Sequence, residues 1–275
     1  MYRRREPRDH GIVLLLRSLC GVFASTQVSY SWRTVEGSMG QAFCEWGLRG
    51  VEALRDRVAA LVIVDVLSFS TAVDVAVARG ASVIPFPFGG LAAARAAAAA
   101  AGAVLAERRN SFGTGFSLSP PSLARIPGGT KLLLPSPNGG RLSLAGGAVP
   151  VFTACLRNAE AVAAAMRAVA GDGAVGVVPA GEVWSDGGLR PAIEDLLGAG
   201  AILDALGMAL SAEARVARDA FRGAVPDLGP VLRASVSGQE LIGRGFAEDV
   251  EFAAALNVSA AAPFLHDGEY RAWAL

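Results

Sequence analysis

Histidine is nearly missing from this 275-residue chain: His10 and His266 are the only two, one near each end. A Ser–His–Asp or Cys–His hydrolase needs an imidazole base beside its nucleophile, so those chemistries drop out first. Cys20, Cys44 and Cys155 show neither CxxC spacing nor a neighbouring histidine. That argues against zinc and a disulfide framework, and suits a reducing, cytoplasmic setting. Lys131 is the only lysine, and the formal net charge is zero, with no basic block beyond residues 3–5. Neither nucleic acid nor an anionic membrane is expected as a partner. The P-loop pattern GxxxxGK[ST] is absent, position 67 is Leu where an aspartyl-phosphatase DxDx[TV] needs Asp, and no GxGxxG follows the first strand.

What is present is a globular composition, 52% apolar and 18% charged, long enough to bury a real core. Arginine carries almost all the positive charge, so any anion clamp has to come from Arg, backbone amides and hydroxyls. Residues 1–38 begin with a basic stretch and an apolar one, as a signal peptide does. Arg17 interrupts the apolar part, which is too short to span a bilayer. The reading is an extension or mis-assigned start outside the fold, with the domain occupying 39–275 and opening at Met39.

From about residue 60, apolar runs alternate with helix-like ones. Strands are expected near 60–66, 81–88, 103–111, 131–136, 149–158 and 174–181. Helices are expected near 71–79, 91–101 and 159–170, and through most of the chain from 192 onward. Residues 45–57 read as a short amphipathic or loop segment, and PNGG at 137–140 as a turn. The alternation predicts an α/β protein, a three-layer α/β/α sandwich with a parallel or mixed sheet. Two stretches, 61–81 and 174–201, share one plan of strand, polar loop and Gly-ended helix, which is compatible with two related halves.

The densest stretch is LVIVDVLSFST at 61–71. Asp65 stands at the end of an apolar strand, followed by Ser68, Ser70 and Thr71 and a helix start. Open α/β sheets place ligands at such strand ends. A carboxylate suits a hard cation, and hydroxyls with free N–H groups suit an anion. The plain alternative is that Asp65 only caps the next helix. Three later loops add polar groups: Glu107 and Arg108; Ser136, Asn138, Gly139, Gly140 and Arg141; and the segment from Glu182 to Glu194 and Asp195. Parallel strands would open all four loops on one sheet edge. Metal, arginine and amide donors around a phosphate are what phosphoryl transfer requires. Glu194 and Asp195 are adjacent on a helix, so one is expected to face the site and the other to cap or meet solvent.

Taken in order, these loops resemble the 2-phosphosulfolactate phosphatase family. The matching residues are Asp65, Leu67, Phe69, Ser70 and Thr71; Glu107 and Arg108 before Gly115, Phe116, Ser119 and Pro120; Asn138 and Gly139; Asn158; Ala180 and Gly181; Glu194, Asp195, Ala199 and Gly200; and Gly245 with Asp249. The resemblance covers about residues 40–265. It implies a Mg²⁺-dependent phosphatase that hydrolyses a small 2-phosphorylated carboxylic acid, 2-phosphosulfolactate in the first place. This chain departs from the pattern at Ser68, where arginine is common, at the SPNGG loop, and in a shortened GFSLSP stretch. Arg157 or Arg190 would restore the lost charge.

The expected site therefore has Asp65 with Glu194 or Asp195 holding Mg²⁺, and Glu107 and Arg108 in the catalytic loops. Ser70, Thr71, Asn138, Gly139 and Gly140 would cradle the phosphate of a small anionic substrate. Arg108, Arg157 and Asn158 would complete its binding. The rivals are a non-catalytic binding protein for a phosphorylated acid on the same scaffold, and a lyase or mutase acting on a similar acid. An apolar chain of this kind is also compatible with a homodimer.

Overall fold

The computed structural model describes residues 40–87, 89–109 and 115–274. The expected extension and the Met39 start lie outside the described residues. Twelve strands are described: β1 (Gln41–Cys44), β2 (Ala60–Val64), β3 (Ser82–Phe86), β4 (Val104–Leu105), β5 (Lys131–Pro135), β6 (Val151–Ala154), β7 (Val175–Pro179), β8 (Glu182–Val183), β9 (Leu189–Arg190), β10 (Ala209–Leu210), β11 (Pro263–His266) and β12 (Glu269–Ala272). Among them run α1 (Gly47–Leu54), α2 (Phe69–Ala78), α3 (Leu91–Ala101), α4 (Pro120–Leu123), α5 (Gly139–Ala145), α6 (Ala159–Ala170), α7 (Ile193–Leu206), α8 (Ala212–Ala224), α9 (Leu228–Ala234), α10 (Val236–Gly243) and α11 (Ala247–Ala254).

Ten strands make one mixed sheet in the order β10-β1-β7-β2-β6-β11-β12-β3-β5-β4. Every residue of β2 is buried because helices cover both faces. Val62 and Val64 join the core under α6 and α7, whereas Leu61 and Ile63 join Val51, Leu54 and Leu142 of α1 and α5. Successive strand residues point to opposite faces, so a continuous apolar run is what a strand covered on both sides requires. β5 repeats the device, with Leu132 and Leu134 packed on the side of α2 and α4 and Leu133 on the side of α3. The result is the three-layer α/β/α sandwich expected from the alternation.

The topology departs from the simplest expectation. β10, β1, β7, β2 and β6 form one parallel block, and β3, β5 and β4 a second. The hairpin β11–β12 lies between them and pairs antiparallel with both β6 and β3. Three antiparallel steps in succession set the second block against the first, so the four polar loops do not share one sheet edge. The hairpin, together with β1 and α5, was not legible as such, while the amphipathic alternative for residues 45–57 is realised in α1. β1 and the hairpin have no strong local pattern and take their form from distant partners, such as Tyr270 of β12, whose hydroxyl donates to Ser143 of α5 at 2.8 Å. The PNGG turn proves to be a helix start, and residues 156–158 form a 3₁₀ turn rather than a strand end.

Candidate active site

β2 delivers Asp65 to the buried end of its loop, beside the cis peptide between Leu67 and Ser68. Two helix starts converge on this one carboxylate. The N–H of Phe69, first residue of α2, donates to Oδ1 at 3.2 Å, and that of Gly139, first residue of α5, to Oδ2 at 2.9 Å. Helix N-termini attract anions through their free N–H groups and dipoles. The anion they hold here is the protein's own Asp65. This is also how loops on opposed parallel blocks are brought together. Gly139 has to be glycine for that approach, since a Cβ would run into the Phe69 ring.

Asp195 binds the next pair of loops. Its Oδ1 accepts from Val66 N–H at 2.7 Å and its Oδ2 from Gly181 N–H at 2.8 Å. Gly181 adopts φ +65°, and a Cβ would meet the Arg190 carbonyl at 2.9 Å. Glu194 is buried as well, 2% exposed against 4% for Asp195. Neither is the solvated member that their adjacency suggested, because the start of α7 is wedged beneath the loops of β2 and β7. Glu182, half-buried at the root of the β8–β9 hairpin, accepts from Asn138 Nδ2 at 2.8 Å.

Three of these acids are shifted by burial and by the charge of their neighbours. Burial pushes the Asp65 carboxyl up to about 6; the two N–H donors oppose this and the charge of Glu194 adds to it. Burial, followed by the charge of Asp65, raises Glu182 to about 7. Asp195 lies well above the ordinary range through burial, Asp65 and Glu194. Mutually raised acids in a polar loop cluster are a recurrent mark of functional sites. The donors are all oxygens, as a hard cation prefers, and Mg²⁺ is commonly held by only one or two carboxylates with water. No group of three or more His, Cys, Asp or Glu among the described residues is arranged to grip an ion together. Asp65 and Asp195 each accept backbone N–H groups at both oxygens, but a carboxylate oxygen so engaged keeps a second lone pair, so Asp65 with Glu194 or Asp195 fits a two-carboxylate site.

Several expected anion ligands have other tasks. Ser70 Oγ accepts from Asp65 N–H and bonds Thr153 Oγ1 at 2.7 Å, and Thr71 Oγ1 donates to the Val66 carbonyl; both residues are fully buried. These hydroxyls brace the loop from inside instead of facing a phosphate. Gly140 lies inside α5, where a Cβ would meet the Phe86 carbonyl at 2.8 Å. Arg157 pairs with buried Asp74 at 3.0 Å and lies over the Phe252 ring, and Asn158 joins Cys155 N–H to the Ala261 carbonyl. Arg190 bonds Ser237 and lies over Trp184.

The cation that reaches the Asp65 loop is Arg109, one position beyond the expected Glu107 and Arg108. Its Nη2 donates to Ser68 Oγ at 2.8 Å and to the Leu118 carbonyl at 3.0 Å, and its Nε lies 3.1 Å from Asp249 Oδ2. Arg109 also lines a cleft of about 910 Å³ together with Glu107, Arg108, Arg95, Arg244 and Pro137. Pro137 in turn lines a smaller cavity of about 230 Å³ that contains Asn138 and Glu182. The second arginine of the E-R-R run was the available signal for Arg109. No local pattern marked Arg244.

Buried carboxylates beside an arginine-lined cleft, on a helix-covered α/β sheet, are the groups that phosphate-ester hydrolysis uses. Comparison with known proteins agrees. The profile of the 2-phosphosulpholactate phosphatase family matches residues 50–268. The chain is also 32% identical, over 209 residues, to the 2-phosphosulfolactate phosphatase of Methanothermobacter thermautotrophicus, a match covering 75% of this chain and 87% of that protein. The chain belongs to the 2-phosphosulpholactate phosphatase family. No helix among the described residues is long and apolar enough to cross a membrane.

Proposed function

We propose that this enzyme is a Mg²⁺-dependent phosphatase of a small 2-phosphorylated carboxylic acid, with 2-phospho-3-sulfolactate the first substrate to test. The observation that carries this reading is the Arg109 bridge. One guanidinium lines the open cleft and also bonds the loop that holds Asp65, so an anion seated on it lies next to the carboxylate cluster. Bound Mg²⁺, held by Asp65 and Glu194, would supply charge stabilisation and a more acidic water.

The chain's own residues provide the remainder. Arg109 and the hydroxyl of Ser68 orient the phosphate, replacing the expected cradle of amides, because the Gly139 and Phe69 N–H groups are taken by Asp65. Glu182, near 7 and anchored through Oε2 by Asn138, exchanges a proton at neutral pH through Oε1. In hydrolysis water forms the new bond to phosphorus, the ester P–O bond breaks, and the departing alkoxide takes a proton. Phosphate release from 2-phospho-3-sulfolactate by the purified protein, with Mg²⁺ and then with excess EDTA, tests the proposal. Turnover abolished by EDTA and restored by Mg²⁺ is expected. Absence of phosphate would refute the activity, and turnover indifferent to EDTA would refute the metal.

A further inference from the structure

Arg141 stands two residues after the Gly139 amide that holds Asp65. It is exposed, and free of any ion pair among the described residues. Asn138, Arg141 and Leu142 are three and four positions apart, which puts them on one face at the start of α5. All three line the cavity of about 230 Å³, together with Trp46, Glu182 and Leu189. Arg49, the other arginine of that cavity, is already paired with Glu52 at 2.9 Å. Arg141 is the cation that a ligand there can use.

The cavity adjoins the phosphate's cation by way of one turn. Pro137 lines both the cavity and the cleft that holds Arg109. The next two residues, Asn138 and Gly139, donate to Glu182 and Asp65. A phosphate ester centred on this turn has its phosphate at Arg109 and its carbon body in the cavity. At about 230 Å³ the cavity lies below the roughly 300–1,000 Å³ typical of pockets for drug-sized ligands, and suits a compact acid. In a 2-phosphorylated carboxylic acid, the carboxylate and the departing ester oxygen are attached to the same carbon. A subsite for that leaving group needs a proton source and a cation within one small space. Glu182 and Arg141 meet both needs, and a guanidinium fork matches the two coplanar oxygens of a carboxylate.

We infer that Arg141 is a specificity-determining residue: it binds the carboxylate of the leaving group in the cavity of Trp46, Asn138 and Glu182, and so selects 2-phosphorylated acids over simple phosphate esters. This rests on the phosphatase reading and deepens it by naming the group that recognises the carboxylate.

The test uses the purified enzyme with Mg²⁺ and three probes. These are 2-phospho-3-sulfolactate, 2-phospholactate, which lacks the sulfonate, and 2-phosphooxypropane-1-sulfonate, which has a methyl in place of the carboxylate. Phosphate release and calorimetric binding are measured for each. Arg141→Gln should lower kcat/KM roughly ten- to hundredfold for the two carboxylates, chiefly through KM, and leave the carboxylate-free ester within about threefold. Arg141→Lys, which keeps the charge and loses the fork, should recover part of that loss. An equal loss for all three esters, or no loss, overturns the inference. A loss confined to the two sulfonates overturns the carboxylate assignment. Carboxylate binding weakened by Arg141→Gln, without phosphate release from any probe, supports the subsite and overturns the phosphatase reading. Absence of binding by all three overturns both.

Discussion

The two sides of the Asp65 loop treat charge in opposite ways. On one side, Asp65, Glu182, Glu194 and Asp195 are crowded with no cation in direct contact among the described residues, and burial plus mutual repulsion raises three of them. On the other side, Arg109 and Arg244 share a ring face, and Asp249 compensates only the first. Elsewhere the chain pairs its buried charges. Glu269, for example, is held down to about 2, because hydrogen bonds from Lys131, Arg271 and Ser82 outweigh its burial. The contrast teaches that the site is built short of one cation on its acid side and short of one anion on its arginine side. A metal ion and a phosphate ester would correct both deficits at once.

The largest effect that would break this picture is on turnover. Glu194 makes no hydrogen bond among the described residues, so Glu194→Gln should fold normally and lose roughly two to three orders of magnitude in kcat. Steady-state phosphate release beside a circular dichroism spectrum reads both. Near-normal turnover would remove Glu194 from the acid side's function.

Next in size is a stability difference between two arginines of one cleft. Truncating Arg109 strands buried Asp249, so Arg109→Ala should cost about 3–5 kcal/mol in denaturant unfolding. Arg244→Ala should cost less than about 0.5 kcal/mol, because it leaves no acid unpaired. Equal losses would contradict the asymmetry.

The smallest expected effect is a pH trend. Asp65 and Glu182 have raised folded pKa values, so their contribution to stability is fully present below their ordinary values near 4. It is lost as pH rises through about 6 and 7. The melting temperature of metal-free protein should therefore fall between about pH 5 and 8, and added Mg²⁺ should restore it at the upper end. Glu269 works in the other sense: its contribution is present above 4.5 and is lost as pH falls through about 2. A metal-free melting curve that rises over the neutral range would refute the crowding of the acids.

Much of the fold was legible because its signals are local. The apolar run of β2, the alanine-rich α3 and the Gly-ended α2 follow from strand burial and helix propensity. The site was legible in part. Asp65, Asn138, Gly139, Glu194 and Asp195 do meet, but Ser70, Thr71, Arg157 and Asn158 brace the interior. A hydroxyl after a strand end has the same sequence whether it faces a ligand or a neighbouring carbonyl. Only the packing of α2 against β6, where Ser70 finds Thr153, tells the two apart.

By itself the sequence determined the class of chemistry: an acid at a strand end, polar loops in a set order, and arginine as the cation available. These depend on residue type and short-range order, which a chain carries before it folds. Tertiary structure alone decided that two helix starts serve Asp65 rather than the phosphate. It likewise decided that Arg109 is the cation at the loop, where it also lines the neighbouring cleft. Those outcomes depend on contacts between residues dozens of positions apart, and the antiparallel hairpin that arranges them has no partner until the rest of the sheet exists.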